Sequence, residues 1–332
     1  MQRIRRIALP IDLFVTVILL FAVSGASQSR GKRPNKTQAK VTNVKLELAK
    51  SFNSNGFVHS VTFSPDEKFL AVDGANGQGK GEVNIYNIVT GEKVRSFDVY
   101  GYTRSIAFSP DGKLFAIAAD DAGTDIYNLK TGDKIKSLKG KTNVSSISFS
   151  KDGNYLGAAA LYEIYIFDVK TFGQLVYFKT KTHDNEISFD PNGKSFLIVN
   201  SEGIFTYDLP TGNPLNSYTP NWRLVNSASH SPNGKFLAIG TLDSTILYDI
   251  AKNKLTKLYE GFTDCVSFSP NGDFLVIATD LKGAMIFNIQ TGQKIKSILN
   301  EGVRETLVAR FSPKGNYLAI NGNRKALLYV VQ

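Results

Sequence analysis

Apolar residues in most of the chain come in short alternating runs, each bounded by turn residues. In Ser105–Phe108, for example, small and apolar positions alternate, a Pro-Asp-Gly turn follows, and Leu114–Ile117 forms the next apolar run. A period of two is typical of β-strands, and a Pro followed closely by Gly favours a tight turn. The pattern predicts short antiparallel strands rather than helices.

These elements recur as a repeat of about 40 residues. Each unit starts with an anchor resembling Phe-Ser-Pro-Asp-Gly, continues with an apolar strand and a strand ending in an aromatic-Asn or aromatic-Asp pair, and closes with a turn that is usually Thr-Gly. The anchors begin at Phe63, Phe108, Phe149, Phe189, His230, Phe268 and Phe311. Four short strands per unit and seven units predict an all-β fold, a seven-bladed β-propeller.

The last unit stops after its third strand, Ala326–Val331, whereas Val44–Phe52 resembles a fourth strand that has no unit of its own. We therefore expect the N-terminal strand to complete the last blade. Closure of this kind removes the exposed strand edges that an open array would keep.

The repeats of residues 41–332 resemble WD repeats and the related bacterial propeller repeats, because the anchor, the aromatic-Asn/Asp pair and the Thr-Gly turn follow the family's order. Tyr or Phe replaces the family's Trp, and the Gly-His pair before the innermost strand is missing, so the family's buried Asp-His-Ser/Thr-Trp set is not expected. The resemblance implies a non-enzymatic platform that binds a protein or peptide. It leaves open a propeller enzyme, lactonase- or hydrolase-like, with its site at the central channel.

The first 26 residues have the three parts of a secretory signal peptide. Arginines precede the apolar run Leu13–Val23, and the small residues Ser24–Ala26 follow it. We predict a cleaved signal over residues 1–26 and an extracytoplasmic protein, periplasmic or secreted. The alternative is an uncleaved membrane anchor formed by residues 7–26.

Most of the formal net charge of +10 lies outside the repeats. The leader carries three arginines and one aspartate, and the polar segment 27–40 carries five basic residues and no acid, which leaves +3 for residues 41–332. We interpret 27–40 as a flexible basic tether, which suits a possible membrane contact or an envelope-associated structural role. The nearly neutral repeats argue against a nucleic-acid partner.

The single cysteine and three histidines argue against a disulfide framework and against a multi-histidine metal centre. We therefore expect no cofactor, no metal, no catalytic residues and a monomer. Cys265 and His230 are expected to be buried.

Candidate partner-binding residues follow from the innermost strands. The position four residues before each anchor is mostly polar and predicts a ring near the channel mouth, which is alternatively a hydrated lining. The connections that enter these strands hold aromatic residues and arginines, the types enriched at interface hot spots. The candidates are His59, Arg104, Asn185, Asp264, Tyr102, Trp222, Arg223 and Arg304. A glycine-rich insertion in the first unit, Gly74–Gly81, is expected to be a flexible loop over the channel mouth.

Overall fold

Seven four-stranded antiparallel sheets make up the part of the chain that the structure, a computed structural model, describes. It describes residues 44–332 apart from 77–79, 121–122, 139–142, 184, 220–221, 223, 280–281, 299–307 and 323. The predictions for residues 1–26 and 27–40 lie outside the described residues. The described residues form one compact unit.

The strands follow the four-per-repeat order that the sequence predicts. The first half comprises β1 (Leu46–Asn53), β2 (Val61–Phe63), β3 (Phe69–Asn76), β4 (Lys80–Asn87), β5 (Lys93–Tyr100), β6 (Thr103–Phe108), β7 (Leu114–Ala119), β8 (Gly123–Asn128), β9 (Lys134–Leu138), β10 (Val144–Phe149), β11 (Tyr155–Ala160), β12 (Glu163–Asp168), β13 (Gln174–Lys179) and β14 (Glu186–Phe189). The second half comprises β15 (Ser195–Asn200), β16 (Gly203–Asp208), β17 (Pro214–Tyr218), β18 (Val225–His230), β19 (Phe236–Thr241), β20 (Ser244–Asp249), β21 (Lys254–Glu260), β22 (Cys265–Phe268), β23 (Phe274–Thr279), β24 (Gly283–Asn288), β25 (Lys294–Ile298), β26 (Ala309–Phe311), β27 (Tyr317–Gly322) and β28 (Lys325–Val331).

The sheets form a ring around a central axis. In each blade the strand that ends in the anchor is innermost, and the following strands add outward. The innermost strands β2, β6, β10, β14, β18, β22 and β26 contact one another in sequence, and β26 contacts β2, so the ring is closed. The prediction of a seven-bladed β-propeller is confirmed.

The anchor sequence works as a hydrogen-bonded turn between the first two strands of a blade. In the second blade the Ser109 hydroxyl donates to Asp111 (2.7 Å) and accepts from the Leu114 N–H (2.9 Å). Gly112 supplies the left-handed residue at φ 69°. The same serine contact closes the turns that begin at Ser64, Ser150, Ser231, Ser269 and Ser312.

The Asn or Asp after the third-strand aromatic caps the outer turn. The Asn128 side chain accepts from the N–H groups of Lys130 (2.9 Å) and Thr131 (3.1 Å), and Asn87 does the same in the first blade. This is an Asx-type turn, in which the side chain takes the place of a backbone acceptor. The aromatic-Asn pair therefore has a local role that does not need the family's Trp.

The hydrophobic core lies in the seams between blades. Phe97 on β5 of the first blade stacks on Phe115 of the second, with 5.6 Å between the ring centroids, and Phe115 is fully buried. A similar cluster joins each described blade to the next, and the largest joins the last two blades to the first. Burial of each large apolar side chain stabilises the ring by roughly 1.5–3 kcal/mol.

Closure by the N-terminal strand is confirmed. Strand β1 is the outermost strand of the last blade and pairs antiparallel with β28, from Leu46 opposite Val331 to Asn53 opposite Lys325. Beyond the strands, Lys45 and Gln332 exchange two backbone hydrogen bonds of 2.9 and 3.0 Å.

A second contact stabilises the seam between the first and last blades. Glu67 stands where most anchors have glycine, at φ 63°, and is nearly fully buried. Its carboxylate accepts from the backbone N–H of Lys314 (2.6 Å) and from the Asn316 amide (2.7 Å) in the last blade. The departure from the repeat pattern at Glu67 is therefore a clasp across the closure seam.

We expect Glu67→Gly to lower the free energy of unfolding by about 2–4 kcal/mol, because two hydrogen bonds to a carboxylate outweigh the relief of left-handed strain. Glu67→Ala keeps the strain without the clasp and should be less stable than Glu67→Gly by about another 1 kcal/mol. Urea unfolding measures both variants. A Glu67→Gly protein as stable as the parent would contradict the clasp.

The glycine-rich insertion differs from its prediction as a loop. Strands β3 and β4 have 8 residues each, where their counterparts β7 and β8 have 6. Strand β3 continues to Asn76 and β4 resumes at Lys80, so most of Gly74–Gly81 extends a hairpin. A Cβ at position 74 would overlap the Ser54 hydroxyl, so glycine there avoids a rearrangement of that side chain.

Candidate functional site

The axis of the ring holds a cavity of about 600 Å³ lined by residues on or directly before the innermost strands of all seven blades. It brings together six of the seven positions that lie four residues before an anchor. They are His59, Arg104, Ser145, Asn185, Asn226 and Asp264. The seventh, Leu307, lies outside the described residues. A polar ring in one channel is therefore present, whereas its contact with a partner stays a prediction.

Serines one position further along these strands link neighbouring blades. The Ser105 hydroxyl accepts from the Ile147 N–H of the next blade (3.2 Å), and the Ser227 hydroxyl accepts from the Val266 N–H (3.2 Å). An N–H on the inner edge of a blade has no further strand to pair with, and a buried unpaired N–H is costly. Serine recurs at this position in four of the seven blades, at Ser60, Ser105, Ser146 and Ser227, which is the sequence signal for this bond.

Four residues form a cluster at the mouth of the channel between the first two blades. Arg104 donates from Nε and from one Nη to the two oxygens of Asp120, at 2.7 and 3.0 Å. The Asp120 N–H bonds to the Tyr102 carbonyl, and the Tyr102 ring lies edge-on to His59 with 6.4 Å between centroids. Burial, followed by the charge of Arg104, lowers the pKa of His59, which favours the neutral imidazole. Asp120, in a connection between strands, was not among the candidates.

Asn185 makes its hydrogen bonds within the protein, and its role as a partner contact stays a prediction. It is fully buried, and its amide donates to the Thr180 hydroxyl (2.9 Å) and to the Thr182 carbonyl (2.8 Å). Its carbonyl oxygen accepts from the Asn200 amide (2.9 Å). The side chain therefore holds the loop with Thr180 and Thr182 in place.

Trp222 is also engaged within the protein. Its Nε1 donates to the Asn200 carbonyl (2.8 Å), and the half-buried ring packs on the apolar cluster of the fourth and fifth blades. Asp264 lines the channel and is partly buried. Arg223 and Arg304 lie outside the described residues.

Exposed apolar side chains are distributed unevenly over the ring. We call the upper face the one that carries the connections entering the innermost strands and those joining second to third strands, which share one end of antiparallel blades. Among described residues the connections of this face hold five large hydrophobic side chains that are at least 38% exposed, whereas Val89 is on the opposite face and the rest, with Tyr100 at the end of β5, lie on outermost strands. The five are Phe57, Tyr102, Leu161, Tyr162 and Leu242.

Below the mouth cluster lies a buried acid that sequence reasoning missed. The Asp73 Oδ1 accepts from the N–H groups of His59 (2.7 Å) and Ser60 (2.9 Å), while Oδ2 is buried without a hydrogen-bond partner. Burial raises the pKa of Asp73 to about 7. A carboxyl in this setting favours its neutral, protonated form at mildly acidic pH.

The last blade holds an amide at the corresponding position. Asn321 accepts from the Val308 N–H (2.7 Å), and its Nδ2 donates to the carbonyl of Val58 in the next blade. The other blades have small or apolar residues there, namely Ala118, Ala159, Val199, Gly240 and Ala278. Asp73 and Asn321 thus support the innermost strands on either side of the closure seam.

We expect Asp73 to make stability fall as pH rises. Its folded pKa of about 7 lies above the ordinary value of 3.8, so its contribution is full below about pH 4 and is lost between about pH 4 and pH 7. Asp73→Asn should therefore gain about 4 kcal/mol relative to the parent between pH 4 and pH 8. Urea unfolding of both proteins across this range measures the difference, and a difference independent of pH would refute the assignment.

Two further observations concern only the described part of the chain. It contains no group of three His, Cys, Asp or Glu side chains placed to hold a metal ion. Within the same residues, no helix is long and apolar enough to cross a membrane.

The comparisons with known proteins point to one repeat family. The model of the WD domain, G-beta repeat, matches residues 132–166 and 212–248. Each match starts near an outer turn and runs to the third strand of the following blade, so it spans one repeat in the register described above. No curated protein matches the sequence.

Proposed function

Because this chain is a WD-repeat-like β-propeller, we propose that it is an exported, non-enzymatic platform that binds a protein or peptide on its upper face. Propellers of this family generally mediate protein interactions, which supports the general class of function. The choice of face depends on one observation: among described residues the connections of the upper face hold exposed aromatic and aliphatic side chains, whereas the opposite face holds only Val89.

The upper face combines apolar anchors with polar neighbours at the seams between blades. The Arg324 guanidinium lies 5.9 Å from the centroid of the Phe57 ring, and Tyr162 lies 6.2 Å from His183, centroid to centroid. Tyr102 has His59 as its neighbour in the same way. Aromatic residues and arginine at the centre of a surface, with polar groups around them, are typical of protein interfaces.

The charged groups of the mouth support binding rather than catalysis. Arg104 forms a bidentate ion pair with Asp120, and the carboxyl group of Asp73 accepts hydrogen bonds from backbone N–H groups. A hydrolase needs a nucleophile or activated water, a base and a stabiliser that converge on one point. The enzyme alternative predicts substrate turnover that depends on channel residues. Hydrolysis of lactone and ester substrates, lost in Asp264→Asn, would favour it.

Tyr102→Ala is expected to weaken binding of the physiological partner by about 10-fold or more, since an aromatic hot spot contributes about 2 kcal/mol. The partner is isolated by cross-linking tagged protein to an extracytoplasmic fraction and identified by mass spectrometry, and affinities are then measured with purified components. The matched control is Tyr177→Ala, because Tyr177 is similarly exposed, at 45% against 41%, but lies on the outermost strand β13. Binding that survives Tyr102→Ala and Phe57→Ala but fails in Tyr177→Ala would move the site to the blade edge.

Export is proposed from the leader sequence. We expect the mature protein to start near Ser27, because small residues at 24–26 follow the apolar run. N-terminal sequencing of protein recovered from the extracytoplasmic fraction tests this. A start at Met1 in a membrane fraction would instead support the anchor formed by residues 7–26, with the basic segment 27–40 beside the lipid surface. Sedimentation of the same material tests the expected monomer.

A further inference from the structure

Arg310 is a long cation at a position where the other blades have small side chains. It lies on β26, one residue before the anchor Phe311, and lines the axial cavity of about 600 Å³. The corresponding residues of the other blades are Thr62, Ala107, Ser148, Ser188, Ser229 and Ser267. One arginine therefore lies at the same depth in the ring as side chains that are mostly serine or threonine.

The Arg310 guanidinium makes no hydrogen bond or ion pair with the residues that the structure describes, and its Nε is buried without a partner. The other described arginines all have partners. Arg104 binds Asp120, Arg95 donates to the carbonyls of Lys130 and Thr131, and Arg324 lies over Phe57. A partly buried guanidinium with an unmet donor is stabilised by any acceptor that enters the cavity.

The acids that line the channel lie nearer its mouth. Glu186 is three residues before its anchor and Asp264 is four, whereas Arg310 is one residue before its own. At about 3.3 Å per residue, the backbone positions of these acids are displaced by roughly 7–10 Å along the strands. Both acids have interactions of their own. Among the described residues that line the cavity, no acid lies at the level of Arg310 to balance its positive charge.

We propose that the channel binds a small oxyanion, a carboxylate or phosphate group, at Arg310. The planar guanidinium presents parallel N–H donors that match two oxygens of such a group. Serine hydroxyls at the same level, including Ser229 and Ser267, supply further donors, while Ser188 is held by His230 Nδ1 (2.8 Å). The cavity volume lies in the range of small-molecule sites. The proposal does not depend on a protein partner at the upper face.

Calorimetric titration with inorganic phosphate and, separately, with succinate tests the site and distinguishes a phosphate from a carboxylate ligand. We expect at least one of them to bind with one-to-one stoichiometry and to raise Tm, because a ligand that binds only the folded state stabilises it. Arg310→Gln should weaken binding at least 10-fold and remove the Tm shift. Arg324→Gln, which removes an exposed arginine outside the channel lining, should change the affinity less than 2-fold.

A second variant tests the site without removing the arginine. Ser267→Asp places a carboxylate on the neighbouring blade at the level of Arg310, so it should compete with the added anion and weaken binding at least 10-fold. Unchanged binding in both Arg310→Gln and Ser267→Asp would overturn the proposal. So would the absence of heat and Tm shift with both anions at 10-fold higher concentration than the protein and up to about 10 mM, a concentration that detects millimolar affinity.

Discussion

The pairing of β1 with β28 is the contact on which the rest of the ring depends. It joins residues from opposite ends of the propeller. Strand β1 also contributes to the largest apolar cluster, which spans the last two blades and the first. Each blade contributes apolar residues to the clusters on both of its faces, so both faces are buried only when the blade has two neighbours. The Glu67 clasp lies at the same seam and bonds the first blade to the last. Closure is thus reinforced where the chain itself provides no covalent continuity.

A closed ring has an inner edge that no further strand can cover. The free N–H groups of the innermost strands point toward the axis, and serine hydroxyls from the preceding blade accept some of their hydrogen bonds. This solution keeps the side chains near the axis short, which leaves a polar channel instead of a filled core. Two residues depart from this pattern of short, uncharged side chains. Arg310 introduces a charge, and Asp73 places a carboxyl under the first innermost strand.

Side chains in the connections that enter the innermost strands have two different roles: some hold loops in place and others are exposed on the surface. Asn185 and Trp222 lie in connections that enter innermost strands, yet both use their polar atoms to hold loops through Asn200. Tyr102 and Phe57 lie in equivalent connections and remain exposed. Interface-prone residue types are therefore informative only when exposure is known.

The repeat by itself determined the architecture of this protein. The spacing of the anchors predicted seven blades, and the similarity of Val44–Phe52 to a fourth strand predicted the closure, because both depend on local turn chemistry and period-two patterning. The positions four residues before the anchors also predicted which side chains share the channel, since register within a repeat is transferred from blade to blade. What only the tertiary structure decided are contacts between residues far apart in sequence, such as Arg104 with Asp120 within the second blade and Glu67 with Asn316 across the closure seam, and the burial of Asp73 and Asn185. These depend on which side chains face each other in the folded ring, and a repeat pattern does not encode the distances between them.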